Sequence, residues 1–282
     1  MKRQKLLLSI LTTAVVFTSC QKEDEIIATE SPVNAISSQE EKLSKETLDN
    51  INRLHFNYKG AQVTDFLLPD GSTEEAILLE GDILMNTSQL KKMSAKDITS
   101  KQYRTYNLIS SPRTINVIGF TANSSQGLTA KQKSALQRAI NNYNSLSIGI
   151  NFTLTFGTNY QPYDIVVYQN SNGEAGGVAG FPENGNPYKY VQIFSGMEGY
   201  STATNEHVLT HEIGHSVGLR HTDWYSRQSC GQSGESAGSD GAVHIPGTPT
   251  GYDSNSIMLA CFSANEDGNF GYYDEVALNY LY

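Results

Sequence analysis

The chain has 282 residues, with 20 Lys and Arg against 29 Asp and Glu, a formal charge of −9 at pH 7 and hydrophobic and aromatic fractions of 38% and 10%. That length suits one large domain or two small ones, and the composition is that of a folded chain rather than a disordered one. Net acidity without a basic patch provides no electrostatic footprint for a phosphate backbone, which argues against a nucleic-acid partner.

Lys2, Arg3 and Lys5 precede the apolar run Leu6 to Phe17, which is too short to span a bilayer and reads as a signal peptide over residues 1–19. The run ends Phe17-Thr18-Ser19-Cys20, which resembles a bacterial lipobox with Phe17 where an aliphatic residue is commoner. The expectation is export, with lipid on Cys20 anchoring the chain to the bacterial outer membrane or cell surface and no other membrane contact. Losing residues 1–19 removes three basic residues and no acids, so the charge moves from −9 to −12. Gln21 to Glu25 resemble the acidic start of surface-lipoprotein tethers, and equally fit a solvated spacer; residues 20–45 read as a tether.

Residues 46–105 read as a small module. A helical pattern covers Lys45 to Leu54, strand-like pieces run Ala61 to Leu68 and Ala76 to Leu79, and Pro69-Asp70-Gly71 is a turn between them. Neither period is clean past Ile83. From Arg113 the order is more regular: a strand Thr114 to Phe120, a helix capped by Thr129 and running to Asn144, then strands Ile150 to Phe156 and Asp164 to Tyr168. A Gly-rich loop leads to two short strands, Gly177 to Phe181 and Tyr190 to Phe194, and to a helix from Thr204 to Gly218. Residues 226–256 are crowded with Ser, Gly, Asp and Pro, and a final helix, Glu275 to Leu281, has Asp274 as its cap. The fold class is α+β, with a domain over 106–282.

The helix at 204–218 carries the chemistry. Its end reads His211-Glu212-Ile213-Gly214-His215, followed by Gly218 and His221. Residues four apart share a helix face, so His211 and His215 can aim at one metal ion, and Glu212 falls beside it as a general base for water whose pKa zinc lowers to about 7. Gly218 can take the positive φ that ends a helix sharply, turning the chain back to bring His221 in as third ligand. Ser256-Ile257-Met258 follows, and Met258 is the only methionine after His221. Met258 fits a Met-turn under the metal and equally a gap-filling core methionine. His207 lies one turn before His211 and reads as a helix residue rather than a fourth ligand, since catalytic zinc keeps one position open.

This pattern, HExxHxxGxxH followed by a Met-turn, is that of the metzincins. The HEIGH core, His221-Thr222-Asp223 and Ser256 to Cys261 together resemble the dual-action HEIGH metallopeptidase family, a bacterial metzincin branch, over residues 105–282. The resemblance implies a secreted or surface-anchored zinc endopeptidase: one Zn2+ on His211, His215 and His221, Glu212 as base, and a protein or peptide substrate. The implied architecture is a twisted mixed sheet with an active-site helix above a loop-rich lower part. Its fourth strand, placed at Gly177 to Phe181, would be an antiparallel edge that binds substrate by strand addition. Leu259 to Phe262 would wall the S1′ pocket. The neighbouring astacins carry Glu after the third histidine and Tyr two residues after the Met-turn methionine; Thr222 and Ala260 stand there here, so no tyrosine ligand is expected.

Leu79-Glu80-Gly81-Asp82-Ile83 resembles the FxGD element of astacin pro-segments, with Leu79 in place of Phe. That resemblance makes Asp82 an inhibitory ligand on the open metal position and residues 46–105 a pro-segment; a simple turn aspartate is the commoner reading. Lys101 and Arg104 lie in the linker and offer sites to a trypsin-like activator, or are merely solvated. With Cys20 assigned to lipid, Cys230 and Cys261 remain as an even pair expected to form a disulfide, against the alternative of two buried thiols. Asp223 reads equally as an orienting partner to a ligand and as a local cap. Ser239-Asp240-Gly241 offers oxygen ligands for Ca2+ but lacks EF-hand spacing, and a plain turn is the ordinary reading. Two other functions stay open: a non-catalytic zinc-bearing surface lipoprotein, with a closed four-ligand shell and no need of Glu212, and a zinc hydrolase for non-peptide substrates. Oligomeric state leaves no mark on the sequence.

Overall fold

The computed structural model describes residues 43–95, 104, 105, 107–232 and 244–282. The signal peptide, Cys20, all but the end of the tether, Lys101 and Ser239-Asp240-Gly241 lie outside the described residues.

Helix α1 (Lys45–Arg53) starts where the Ser44 hydroxyl accepts from the Thr47 N–H, and it buries Ile51. Strands β1 (Gln62–Leu67) and β2 (Thr73–Leu79) form a hairpin whose turn is held by the Asp70 carboxylate, accepting from Ser72 N at 3.0 Å. Two elements follow that the sequence pattern did not reveal. Strand β3 (Ile83–Met85) is buried at every residue, and helix α2 (Thr87–Ser94) is capped by Asn86, which accepts from Gln89 N at 2.7 Å. A three-residue strand covered on both faces shows no alternation, and an eight-residue helix is little more than two turns.

Strands β4 (Arg113–Phe120), β5 (Ile150–Gly157), β6 (Ile165–Asn170), β7 (Gly177–Gly180) and β8 (Tyr190–Phe194) join the first three in one eight-stranded sheet, ordered β1-β2-β3-β7-β8-β6-β4-β5. The sheet is mixed: β8, β6, β4 and β5 are mutually parallel, and β7 runs antiparallel to β8. Helix α3 (Ala130–Ser145) has a full capping box, in which Thr129 and Gln132 satisfy each other's backbone N–H groups. Together with α4 (Thr202–Val217) it covers one face of the sheet. Leu136, Ala139 and Ile140 of α3 and Leu209, Ile213 and Val217 of α4 share a core with Ile115, Val117, Ile165 and Val167. Burying each such aliphatic side chain is worth about 1.5 to 3 kcal/mol. A second core on β1, β2, β4, β6 and β7 gathers Phe66, Leu68, Ile118, Val166 and Tyr168. A third joins α1, α2 and β3 to Phe181, which follows β7.

Two expectations need correction. Gly177 to Phe181 is antiparallel to β8 as expected, but it is not an edge: β3 lies against it in parallel, with Ile83 opposite Ala179 and Leu84 opposite Gly180, and Ala179 N donates to Asp82 O at 3.0 Å. The apolar side chains of β3 leave no exposed alternative for that strand. The last helix, α5 (Tyr272–Leu281), begins earlier than expected, with Gly271 rather than Asp274 at the cap. Asp274 reaches back instead, accepting from Gly271 N, Ser256 Oγ and Ile257 N at 2.7 to 2.9 Å, and so fixes the approach to Met258.

Candidate metal centre

Helix α4 is buried almost throughout, which fixes the direction of each side chain it carries. Ser201 caps its start. Gly218 ends it at φ 112°, with Gly218 N donating to His215 O and Leu219 N to Gly214 O at 2.9 Å, so the chain doubles back toward His221. The turn is what brings His221 to the two histidines of the helix.

Each imidazole is held by its Nδ1. His211 donates to Ile257 O and His215 to Leu219 O, both at 2.8 Å, while His221 donates to the Glu80 carboxylate, also at 2.8 Å. The three Nε2 atoms therefore converge. Those of His215 and His221 lie 3.3 Å apart, close to the spacing of two nitrogens at about 2.0 Å from a shared tetrahedral centre. Asp82 Oδ2 joins them, 3.0 Å from His221 Nε2 and 3.5 Å from His211 Nε2. All four ligand atoms fall within 4.8 Å of one another. Among the described residues His211 Nε2 and Asp82 Oδ1 are buried with no hydrogen-bond partner, an arrangement that costs free energy unless a cation takes their lone pairs. Burial alone would push the His221 imidazole toward the neutral form, but the Asp82 and Glu80 carboxylates outweigh it and lift its pKa to about 9. The spot favours positive charge. Three imidazole nitrogens and a carboxylate thus fit a divalent metal ion.

Glu212 lies beside this cluster, buried, with Oε2 unpartnered. Burial and then the charge of Asp82 push its carboxyl well above the usual range. It also stands against Gly177, where a Cβ would lie 2.7 Å from Gln192 O and 2.8 Å from Glu212 Cγ. Gly177→Ala is therefore expected to cost about 1 to 3 kcal/mol of stability, and to displace Glu212; a thermal melt and activity equal to those of the unaltered protein would show that β7 tolerates the methyl group.

Met258 packs against Gly214 between the two histidines of the helix, where a Cβ would be 2.6 Å from Met258 Sδ. Asp223 does not orient the ligand histidines, whose Nδ1 atoms are held by Ile257, Leu219 and Glu80. It accepts from Ser229 N and Oγ and from Ala260 N at 2.6 to 2.9 Å, tying the segment after His221 to the one after Met258. The Cys230–Cys261 disulfide closes the same connection across 31 residues, so of the two readings of these cysteines the bonded one holds. Replacing both with Ser should lower stability by about 3 to 4 kcal/mol, read from the denaturation midpoint; an unchanged midpoint would show that the Asp223 network suffices alone. His207 stays out of the cluster, its Nδ1 3.9 Å from Glu266 and its pKa lowered to about 4 by burial first and then by His211.

A cleft of about 330 Å3 opens over the centre, lined by Asp82, Gly177, His211, Glu212, Arg227 and the stretch from Leu259 to Phe262. The model of the family described as dual-action HEIGH metallopeptidases matches residues 77–282. The chain belongs to this family. As a HEIGH metallopeptidase it shows distant likeness to two solved structures of myroilysin. Both are 14% identical; they cover 60% and 61% of this chain and 80% and 83% of theirs, each with a TM-score of 0.39, too distant to carry a residue's role. A search of curated proteins finds no match.

The family match starts within β2 and so takes in the turn at 80–82 and β3. Glu80 was not visible as a site residue from sequence. It sits at φ 55° with Gly81 at 98°, and its carboxylate faces His221, Arg220 and Arg227. Burial would raise the Glu80 carboxyl, but the His221 hydrogen bond and the charges of His221 and Arg220 hold it below its ordinary value. The one available signal was a charged residue on each side of the third histidine's turn, which local spacing does not pair with position 80. Arg104 backs against Leu219 in a β-bridge, and Thr105 N donates to Gly218 O at 3.0 Å, so cutting there requires this bridge to open.

Proposed function

We propose that the chain is a zinc endopeptidase of the metzincin kind, made as a latent precursor in which residues 46–105 are the pro-segment. The observation that carries this reading is the convergence of three histidine Nε2 atoms with Asp82, beside a buried Glu212 whose Oε2 has no hydrogen-bond partner among the described residues. His211, His215 and His221 would hold the ion, with Asp82 on its remaining position. Zinc bound there would polarise the scissile carbonyl and make water a nucleophile near neutral pH. The rest falls to the chain. Glu212 takes the proton of the attacking water and passes it to the leaving amine. β7 offers its backbone to an extended substrate, and Leu259 to Phe262 shape the cleft beyond the metal ligands. Export and lipid on Cys20 rest on the sequence of residues 1–20. If that lipid forms, activation separates the catalytic part from its anchor.

Latency has two supports. Asp82 occupies the place a substrate carbonyl or water needs, and β3 covers β7. The four-ligand shell would equally suit a non-catalytic zinc lipoprotein. Glu212 favours the peptidase, because a buried carboxyl oxygen left without a partner costs stability that a part in the reaction would explain. Digestion of an unbiased peptide library at neutral pH by the processed protein, with and without chelator, decides: chelator-sensitive cleavage is expected, and zinc binding without any cleavage would favour the lipoprotein.

A further inference from the structure

Among the described residues, the hydrogen bonds and carboxylate contacts of Arg220 and Arg227 go mainly to the segment that the precursor reading removes, with Cys230 Sγ 3.8 Å from Arg227 Nη2 and the Trp224 ring 5.5 Å from Arg220 on the part that stays. The buried Arg220 guanidinium donates to Leu54 O and His55 O at 2.9 Å, stacks over Phe56 with 4.0 Å to the ring centre, and lies 3.8 Å from Glu80 Oε1. Arg227 Nη2 donates to Glu80 O at 3.0 Å, and its Nη1 sits 3.9 Å from Glu80 Oε2. That Nη1 is buried and makes no hydrogen bond among the described residues. Arg227 also lines the cleft with His211 and Glu212. When Glu80 withdraws with the rest of that segment, both guanidinium groups lose their carboxylate, which leaves a paired positive site open to another one.

Position fixes what the replacement can be. Along this segment Asp82 reaches the histidines, the strand-paired Ile83 and Leu84 follow it, and Glu80 precedes it, against His221 Nδ1. A substrate that ran along β7 and past the ligands as this segment does would bring a residue to Glu80's place within a residue or two of the bond to be cut.

We propose that Arg227, backed by Arg220, is a carboxylate-binding subsite that selects peptides with an acidic residue just beyond the scissile bond, on the side away from β7. The assignment rests on the peptidase reading. The carboxylate can come from an Asp or Glu side chain or from a peptide C-terminus, and the two are separated by amidating the substrate.

The pocket itself is tested on the full-length, zinc-loaded chain carrying Glu80→Ala. Propionate should raise its melting temperature saturably; it should do so neither in the unaltered chain nor after a further Arg227→Gln. No saturable effect in Glu80→Ala would overturn the subsite. Its use is tested by digesting C-terminally amidated peptides with the zinc-loaded chain after trypsin treatment. A preference for Asp or Glu over Ala of about ten- to a hundredfold in kcat/KM is expected at one position. Arg227→Gln should abolish the preference and Arg227→Lys restore part of it. Cleavage without acidic preference would overturn the subsite and leave the peptidase reading standing. Preference seen only with free C-termini would overturn the side-chain assignment. No cleavage of any peptide, with propionate still binding, would overturn the peptidase reading and this substrate assignment with it.

Discussion

Glu212→Gln is expected to lower peptide hydrolysis by the processed, zinc-loaded protein by about two to four orders of magnitude, with the metal still bound. The substitution keeps the side chain's size and its place against Gly177, and removes only the capacity to accept a proton. None of the four converging ligand atoms belongs to Glu212. Zinc content by mass spectrometry should therefore match the unaltered protein. Proteolysis retained in Glu212→Gln would exclude this residue as the base. Loss of zinc along with activity would assign it a structural part instead.

Asp82→Ala in the full-length chain is expected to raise activity by about tenfold or more over the unaltered precursor, because a ligand delivered by the same chain acts at an effective concentration of millimolar or above. The gain should stop short of the processed protein. Ile83 and Leu84 still pair with Ala179 and Gly180, and Glu80 still engages His221 and both arginines. Rates for a short peptide, measured on the precursor, the variant and the processed form, give the comparison. Equal rates for precursor and variant would show that strand coverage alone keeps the protein inactive. Full activity in the unaltered precursor would end the latency reading.

How much of this was legible depended on sequence distance. The active-site helix, its end at Gly218 and the return to His221 follow from spacing within eleven residues, where helix geometry leaves little freedom. The capping of α3 by Thr129 and the strands Ile150–Gly157 and Tyr190–Phe194 were equally local matters of period and turn chemistry. The Cys230–Cys261 pairing followed from counting once Cys20 was set aside. β3 was missed because three residues covered on both faces show no alternation, and α2 because two turns carry too few apolar residues, Leu90 and Met93, to set a period. The covering of β7 depends on residues 83–84 meeting 179–180, a pairing that no local pattern encodes. Glu80 was hidden for the same reason. Its neighbours suggest a turn, and its partner His221 lies 141 positions away.

In the precursor, one zinc ion is expected on His211, His215 and His221 with Asp82 closing its shell. Zinc-edge anomalous diffraction from crystals of the zinc-loaded, full-length chain would locate it. A single anomalous peak should appear, bounded by three imidazole Nε2 atoms and an Asp82 oxygen, with Glu80 on His221 Nδ1. A zinc ion held by the three histidines with Asp82 turned away, or one bound elsewhere, would contradict this assignment.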